Sequence, residues 1–454
     1  MGRHLIIGAG PAGLSAVDTI RELGDVSPIT LVCDEPPYSR MVLPYFMDGT
    51  IPEANVYTAD ESYLESKQVD ALFEKRVTSI ESGHASLDDG SSVEFDAALV
   101  ATGSNAVRPP IPGIEADGIF NLWTLDDSRK VLAARGGDLV VIGAGFIAFT
   151  CLDALITLAD KVTVIEVEDR ILPRMVDSFG AGLVRRWLEA KGVEFRVATT
   201  VQGIEERGGR KYLSVEGEEA VIADVVITAT GIRPNLGLVQ DSGIQTDFGI
   251  VADDHLRTSM PGVFAAGDVA QGPVVASQTR EVHAIEPTAL EQGRIAGANM
   301  AGADATYWGS LLMNIVAVQK LQIASFGRWE GDGLETRTVS NEERPVYRKL
   351  LFEEDRLVGA VFLGRPDDVA MLNDMGMVKG LIQTQVPLRE WRKYLDDHPL
   401  DVRRPYVASR AAERLLEMRL LRKPSSPEGY RHPDPPPEYW PWHEVFVKTI
   451  PRDE

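Results

Sequence analysis

The apolar run His4-Leu5-Ile6-Ile7 breaks at Gly8-Ala9-Gly10-Pro11-Ala12-Gly13 and resumes as Leu14-Ser15-Ala16-Val17. The pattern returns 135 residues later, where Leu139-Val140-Val141-Ile142 precedes Gly143-Ala144-Gly145-Phe146-Ile147-Ala148. Short apolar runs bounded by turns predict buried strands, and the stretch after each turn predicts a helix. A further strand follows in each unit: Ile29-Thr30-Leu31-Val32 runs out at Asp34, 26 residues past Gly8, and Val162-Thr163-Val164-Ile165 is capped by Glu166. Glycine lets the backbone turn sharply and approach a pyrophosphate, whose charge then rests on unpaired amides at the helix N-terminus. An acid at the tip of the second strand can take the hydroxyls of an adenosine ribose. One such unit binds one dinucleotide, so two predict a protein that holds two and moves electrons between them. A tight strand-to-helix turn with no ligand is the plain alternative for a single unit.

Past about residue 305 the pattern changes. Tyr347-Arg348-Lys349-Leu350-Leu351-Phe352 and Leu357-Val358-Gly359-Ala360-Val361-Phe362, joined through Glu353 to Arg356, predict a hairpin, and a helix is expected around Asp367 to Ile382. Met371, Met375 and Met377 on that helix suit a core, with a partner groove as the alternative. Further on, Pro433, Pro435, Pro436, Pro437 and Pro441 interleave with Tyr439, Trp440, Trp442 and Phe446. Such a stretch makes neither regular helix nor sheet, and exposed tryptophan is costly in water. This arm is expected to lie against its own protomer, a dimer mate or a redox partner.

Composition narrows the class. A chain of 454 residues with 44% apolar residues predicts about three domains with ample cores. Two cysteines give no disulfide framework, the N-terminus enters a core strand almost at once, and no apolar run reaches about eighteen residues, so a soluble cytoplasmic protein is expected. The net charge of −22 disfavours nucleic acid and an anionic membrane as partners. It also suits steering of a basic partner, or plain solubility. No cluster of His, Cys and acidic residues has metal-ligand spacing.

Glu166 also bears on which nicotinamide cofactor enters. It would accept hydrogen bonds from a free 2′-hydroxyl and repel a 2′-phosphate, and Glu168 and Asp169 deepen that negative field. NADH is therefore expected over NADPH. Ala148 stands where the third glycine usually lies, a change sometimes met with NADPH, but Glu166 touches the discriminating group directly.

Four further segments complete the picture: Leu99-Val100-Ala101-Thr102-Gly103, Ile227-Thr228-Ala229-Thr230-Gly231, Val263-Phe264-Ala265-Ala266-Gly267-Asp268 and Pro287-Thr288-Ala289-Leu290-Glu291-Gln292-Gly293. With the two turns they make residues 1 to about 365 resemble the pyridine nucleotide-disulfide reductase superfamily, in its ferredoxin-reductase, nitrite-reductase-flavoprotein and NADH-oxidase branch. The resemblance implies an α/β fold of two Rossmann-like dinucleotide-binding domains, one inserted in the other, plus a C-terminal α+β domain and the Pro/aromatic-rich tail. Its implied boundaries are 1–107 and 233–300 for an FAD-binding domain, 108–232 for an NADH-binding domain, 305–400 for an interface domain and 401–454 for an extended tail. Arg108-Pro109-Pro110-Ile111-Pro112-Gly113 and Arg233-Pro234-Asn235 would be stiff, extended crossings between the first two.

The resemblance also assigns contacts. Those to FAD fall on Gly8, Gly10, Pro11, Ala12, Gly13, Asp34, Val77, Ala101, Thr102, Gly103, Gly267, Asp268, Pro287, Thr288 and Ala289. Those to NADH fall on Gly143, Gly145, Phe146, Ile147, Glu166, Thr230 and Gly231. A helix starting at Pro287 would aim its positive end at the charge that reduced flavin carries near N1 and O2. Asp268 also fits a simple helix cap.

The departures from that family carry information of their own. Disulfide reductases need a cysteine pair near the flavin, and the peroxidase and coenzyme A disulfide branch needs one cysteine. This chain has Arg40-Met41-Val42-Leu43-Pro44-Tyr45 at that place, and its only thiols, Cys33 and Cys151, read as small buried hydrophobes. Tyr45 stands where relatives carry a lysine, Thr150 where they carry a glutamate, and Trp123 where they often place a flavin-contacting arginine. Tyr45, Thr150, His283 and Glu286 are the candidate catalytic residues, the last two as proton sources, with surface or packing roles the alternative for His283.

The expected activity is an NADH-dependent FAD oxidoreductase that passes hydride to flavin N5 and then electrons to a ferredoxin-like or other iron–sulfur protein. A homodimer or a subunit of a complex is expected. Two alternatives remain: transfer to oxygen, a quinone or another small oxidant, and a flavin-bound regulatory or assembly protein with weak NADH activity.

Overall fold

A computed structural model describes residues 2–418 except 218, 276 and 278. Two five-stranded parallel sheets dominate it. The first runs in the order Val263–Ala265, Ala97–Val100, His4–Ile7, Ile29–Cys33, Val69–Phe73. The second runs Ile119–Asn121, Val225–Thr228, Asp138–Ile142, Lys161–Ile165, Val193–Arg196. The two orders match strand for strand, and in each the central strand is the one that ends in a glycine turn. Its residues are buried, as strands covered on both faces require. A helix follows each turn, Pro11–Glu22 in the first unit and Phe146–Leu158 in the second.

The first sheet takes strands from before and after the second in the sequence, so the second is inserted into it. Two short strands make the crossing, Ser104–Ala106 going out and Ile232–Pro234 coming back, paired antiparallel with Ser104 opposite Pro234. The extended conformation anticipated for 233–235 is present, and pairing supplies its stiffness.

A third sheet, antiparallel, has the order Met313–Val318, Leu321–Gly327, Arg356–Gly364, Val346–Glu353, Glu335–Asn341. It contains the anticipated hairpin. The helix anticipated at 367–382 forms as Val369–Thr384, displaced because Asp368 caps it through the Met371 amide at 3.0 Å. Met371 and Met375 are buried and Met377 packs at the edge of the same cluster. The other sheet face docks on the second unit, where Val316, Ile323, Val361 and Leu363 share a core with Phe149, Leu152 and Val184. Asp177, which caps helix Ser178–Glu189, takes a hydrogen bond from Tyr347 and an ion pair from Lys349, both at 2.7 Å.

The expectation of an extended tail from residue 401 fails over its first part. Residues Arg403–Ala408 and Ala411–Glu417 are helical, and Val402 and Ala411 are buried in the C-terminal core. Here apolar residues recur at helical spacing and the only proline, Pro405, sits in a first turn, where its missing N–H costs nothing. The Pro/aromatic stretch itself lies outside the described residues. Among the described residues no helix is long and apolar enough to cross a membrane.

Candidate functional site

At the first turn Gly8 adopts φ +106°, and a methyl group there would meet the Ala101 carbonyl oxygen at 2.3 Å. On Gly13 one would meet the Gly8 carbonyl at 2.0 Å, whereas around Gly10 there is open space within 4 Å. The sequence thus closes the turn on two sides and leaves it open on the third, where helix Pro11–Glu22 presents its free amides. The second turn repeats this, with Gly143 at φ +105° against Ala229 and open space at Gly145. Ala148, at the position that Gly13 holds in the first turn, is buried. Phe146 and Ile147 are half-buried at its start.

The two acids at the strand ends, Glu166 and Asp34, differ in a way the spacing hid. The Gly143 amide bonds the Ile165 carbonyl, so Glu166 is the next residue; the Gly8 amide bonds the Val32 carbonyl, so Cys33 is next and Asp34 lies one further. Successive side chains alternate along a strand. Glu166 accordingly turns inward, buried, accepting the Ala144 amide at 2.6 Å and the Glu168 amide at 3.0 Å. Asp34 turns outward and pairs with Arg76 at 2.7 Å, beside the buried Val77.

Gly103 and Gly231 stand beside the paired crossing strands and Gly267 precedes Asp268, the three glycines at φ +67°, +109° and +78°. Thr102 and Asn235 bond each other across the crossing at 3.1 and 2.9 Å, and Thr230 bonds the Val107 carbonyl at 2.8 Å. The Asp268 carboxylate accepts from the Ser104 hydroxyl at 2.6 Å; burial pushes this acid above the usual range, against the pull of Ser104 and the Arg40 charge. The Gly267 amide is held by Gln292 at 2.8 Å, and Thr288 and Ala289 are buried behind exposed Pro287.

Arg40 is the residue sequence reasoning passed over. Its guanidinium stacks on Trp123 at 5.1 Å and lies near Tyr38 at 5.9 Å, next to Gly103. Its Nε is buried without a hydrogen-bond partner. Trp123 donates instead to the Ser104 carbonyl at 2.7 Å. Arg40, 83 residues earlier in the chain, thus places a guanidinium against Trp123, at the position where the resemblance puts an arginine. An unpaired donor, open glycines and two sets of helix-terminal amides fit an anionic dinucleotide.

The candidate catalytic residues separate. Tyr45 is exposed on the short helix Leu43–Met47, whose Met47 is buried in the second unit's core; Thr150 bonds its own helix at the Ile147 carbonyl, 2.7 Å away. His283, anticipated as a proton source, is instead buried, its Nδ1 on the Ser310 hydroxyl at 2.7 Å and its Nε2 3.4 Å from Glu281. Burial lowers its pKa, with Glu281 opposing. Glu286 is the first residue of helix Glu286–Met300 and faces Ser39, 3.4 Å away. Cys33 and Cys151 are free and buried, and burial pushes both thiols up to about 12.

Comparison with known proteins accounts for this arrangement. Residues 2–303 match the pyridine nucleotide-disulphide oxidoreductase family. The chain belongs to it. As a member of this family the protein is an NAD(P)H-dependent flavin oxidoreductase with FAD and NADH as cofactors. Residues 313–375 match the C-terminal domain of rubredoxin NAD+ reductases. The chain is 29% identical to the NADH-dependent phenylglyoxylate dehydrogenase subunit epsilon of Aromatoleum evansii over 415 residues, 89% of this chain and 97% of that one. It is 29% identical to an NADH oxidase of Methanocaldococcus jannaschii over 340 residues, 72% of this chain and 76% of that one. Among solved structures, an NAD-dependent persulfide reductase from A. fulgidus superposes with TM-score 0.78 at 28% identity, covering 86% of this chain and 78% of the other.

Proposed function

We propose that this family member takes electrons from NADH into its FAD and delivers them to an iron–sulfur redox protein, free or held as a neighbouring subunit. The observation that carries the reading is the absence of a usable thiol. Both cysteines of the chain are buried with pKa values pushed up to about 12, so no thiolate relay operates beside the flavin. The rubredoxin-reductase type of the C-terminal domain supports the same acceptor class, and the relative matched over 97% of its length is itself named a subunit.

When bound, FAD supplies a two-electron acceptor that can release electrons singly. The chain's residues do the rest. Open space at Gly10 and Gly145 admits the two pyrophosphates onto helix N-termini. Arg40 adds charge to the FAD side and Glu166 selects the free 2′-hydroxyl of NADH. Neither Tyr45 nor Thr150 would be asked to move a proton, because hydride transfer depends on stacking. The Asp34 carboxylate shares its ribose with Arg76.

The test is anaerobic stopped-flow reduction of the FAD-loaded protein with NADH and NADPH, followed by addition of rubredoxin or a two-iron ferredoxin as probe acceptor. The expected result is fast flavin bleaching with NADH and NADH-driven bleaching of the iron–sulfur protein. Oxygen consumption as rapid without an added protein would favour an oxidase instead, the activity named for the Methanocaldococcus relative.

A further inference from the structure

Glu286 occupies an unusual position for an acid. It opens the 15-residue helix Glu286–Met300, followed at once by Pro287, and its side chain is half-buried. A helix N-terminus carries a positive end worth roughly half an elementary charge. If this end faces N1 and O2 of the reduced ring, as the resemblance implies, a carboxylate beside it would compete for the same field.

Among the described residues no cation pairs with Glu286. From the facing segment come Ser39, at 3.4 Å, and Arg40, whose guanidinium is committed to the Trp123 ring at 5.1 Å and lies 3.7 Å from Glu35. From the strand before the helix come His283 and Glu281, engaged with each other and with Ser310. On its own helix the next charged residues are Glu291 and Arg294, more than a turn further on. Burial pushes Glu286 above the usual carboxylate range, with the Ser39 hydrogen bond opposing.

We infer that Glu286 takes up a proton when the flavin is reduced. The inference rests on the FAD reading of the first dinucleotide unit. The balance is simple: the oxidised ring plus two electrons and one proton at N5 gives the anionic reduced ring, and the Glu286 carboxylate plus a second solvent proton gives the carboxylic acid. A reduced, negatively charged ring seated at this helix end would raise the carboxyl further and so favour that uptake. Glu286 is thus a proton-coupling group that lets the ring and helix end carry one negative charge between them.

The test is a redox titration of the full-length, FAD-loaded protein with dithionite, which bypasses NADH, repeated between about pH 6 and pH 8.5. One proton per two electrons changes the reduction equilibrium tenfold per pH unit, about 30 mV for a two-electron couple. The wild type is expected to change more steeply than tenfold per unit over part of that range, and Glu286→Gln tenfold there; Glu286→Asp, which keeps the carboxyl, is expected to restore the steeper dependence. A tenfold dependence throughout in the wild type, or an equally steep dependence in wild type and Glu286→Gln, overturns the inference. Should Glu286→Gln not fold, the infrared difference spectrum of the wild type decides: a carboxylic acid C=O band gained on reduction supports it, and no such band overturns it. A wild type that retains no FAD at all strikes the underlying flavin reading, and this inference with it.

Discussion

Gly293 crosses Ala12 so closely that a methyl group on it would stand 2.2 Å from the Ala12 carbonyl oxygen. Gly297, one turn on, meets the Ala16 carbonyl at 2.6 Å in the same way. These two glycines let helix Glu286–Met300 lie directly on helix Pro11–Glu22. Gly293→Ala is therefore expected to cost about 2–3 kcal/mol through overpacking and to weaken FAD retention. Gly376→Ala, in an exposed helical position with nothing within 4 Å, is expected to leave the melting temperature unchanged or raised. Thermal melts with flavin fluorescence compare the two; equal losses would refute the packing account.

Glu166 is buried and bonded to two backbone amides of its own site. Glu166→Ser should lower kcat/KM for NADH and raise it for NADPH, moving the ratio by on the order of tenfold or more. Steady-state kinetics with both cofactors measure it. A ratio left unchanged would mean that the acid serves the turn alone.

Arg40 combines a stacked ring, an unpaired Nε and a buried acid in its field. Arg40→Ala is expected to weaken FAD binding by about 2–3 kcal/mol, and Arg40→Lys to recover only part of it, since an ammonium cannot stack as a planar guanidinium does. Equilibrium dialysis of FAD against the apoproteins reads both. Full recovery by lysine would show that charge alone matters.

Neither thiol should react in the native protein. Cys33 and Cys151 have pKa values pushed up to about 12 by burial, so alkylation at neutral pH should label neither until denaturant is added. Replacing both with alanine should leave NADH-driven flavin reduction within about twofold. Rapid native labelling of either one would reopen thiol chemistry.

Asp25 predicts an acid limit to stability. Burial pushes its carboxyl up, but hydrogen bonds from Ser27 and the buried His4 ring, 2.8 Å away, more than offset it and bring it down to about 2. A carboxyl depressed in the folded state stabilises fully above its unfolded value near 3.8 and loses that contribution as pH falls toward 2. The expected contribution at neutral pH is on the order of 2 kcal/mol. Urea melts of wild type and Asp25→Asn should differ by that amount at pH 6 and converge near pH 2; a constant difference would reject the linkage.

The two glycine turns, the strands that lead into them and the C-terminal hairpin were legible in the sequence because each depends on short-range chemistry. A turn needs glycine where φ is positive, a buried strand needs an unbroken apolar run, and a redox thiol needs a cysteine within a few residues of the flavin segment. The presence of two cofactor sites and the lack of a thiol relay both follow from residues within about thirty positions of each turn. What the sequence hid is long-range. Spacing alone could not show that Asp34 lies one residue beyond the position of Glu166, because strand register is set by pairing with a neighbour. Nor could it show Arg40 stacked on Trp123, His283 sealed against Ser310, Glu286 opposite Ser39, or residues 403–417 coiled onto the C-terminal core. Those contacts join segments far apart in the chain, and only packing decides which of many chemically similar residues end up as neighbours.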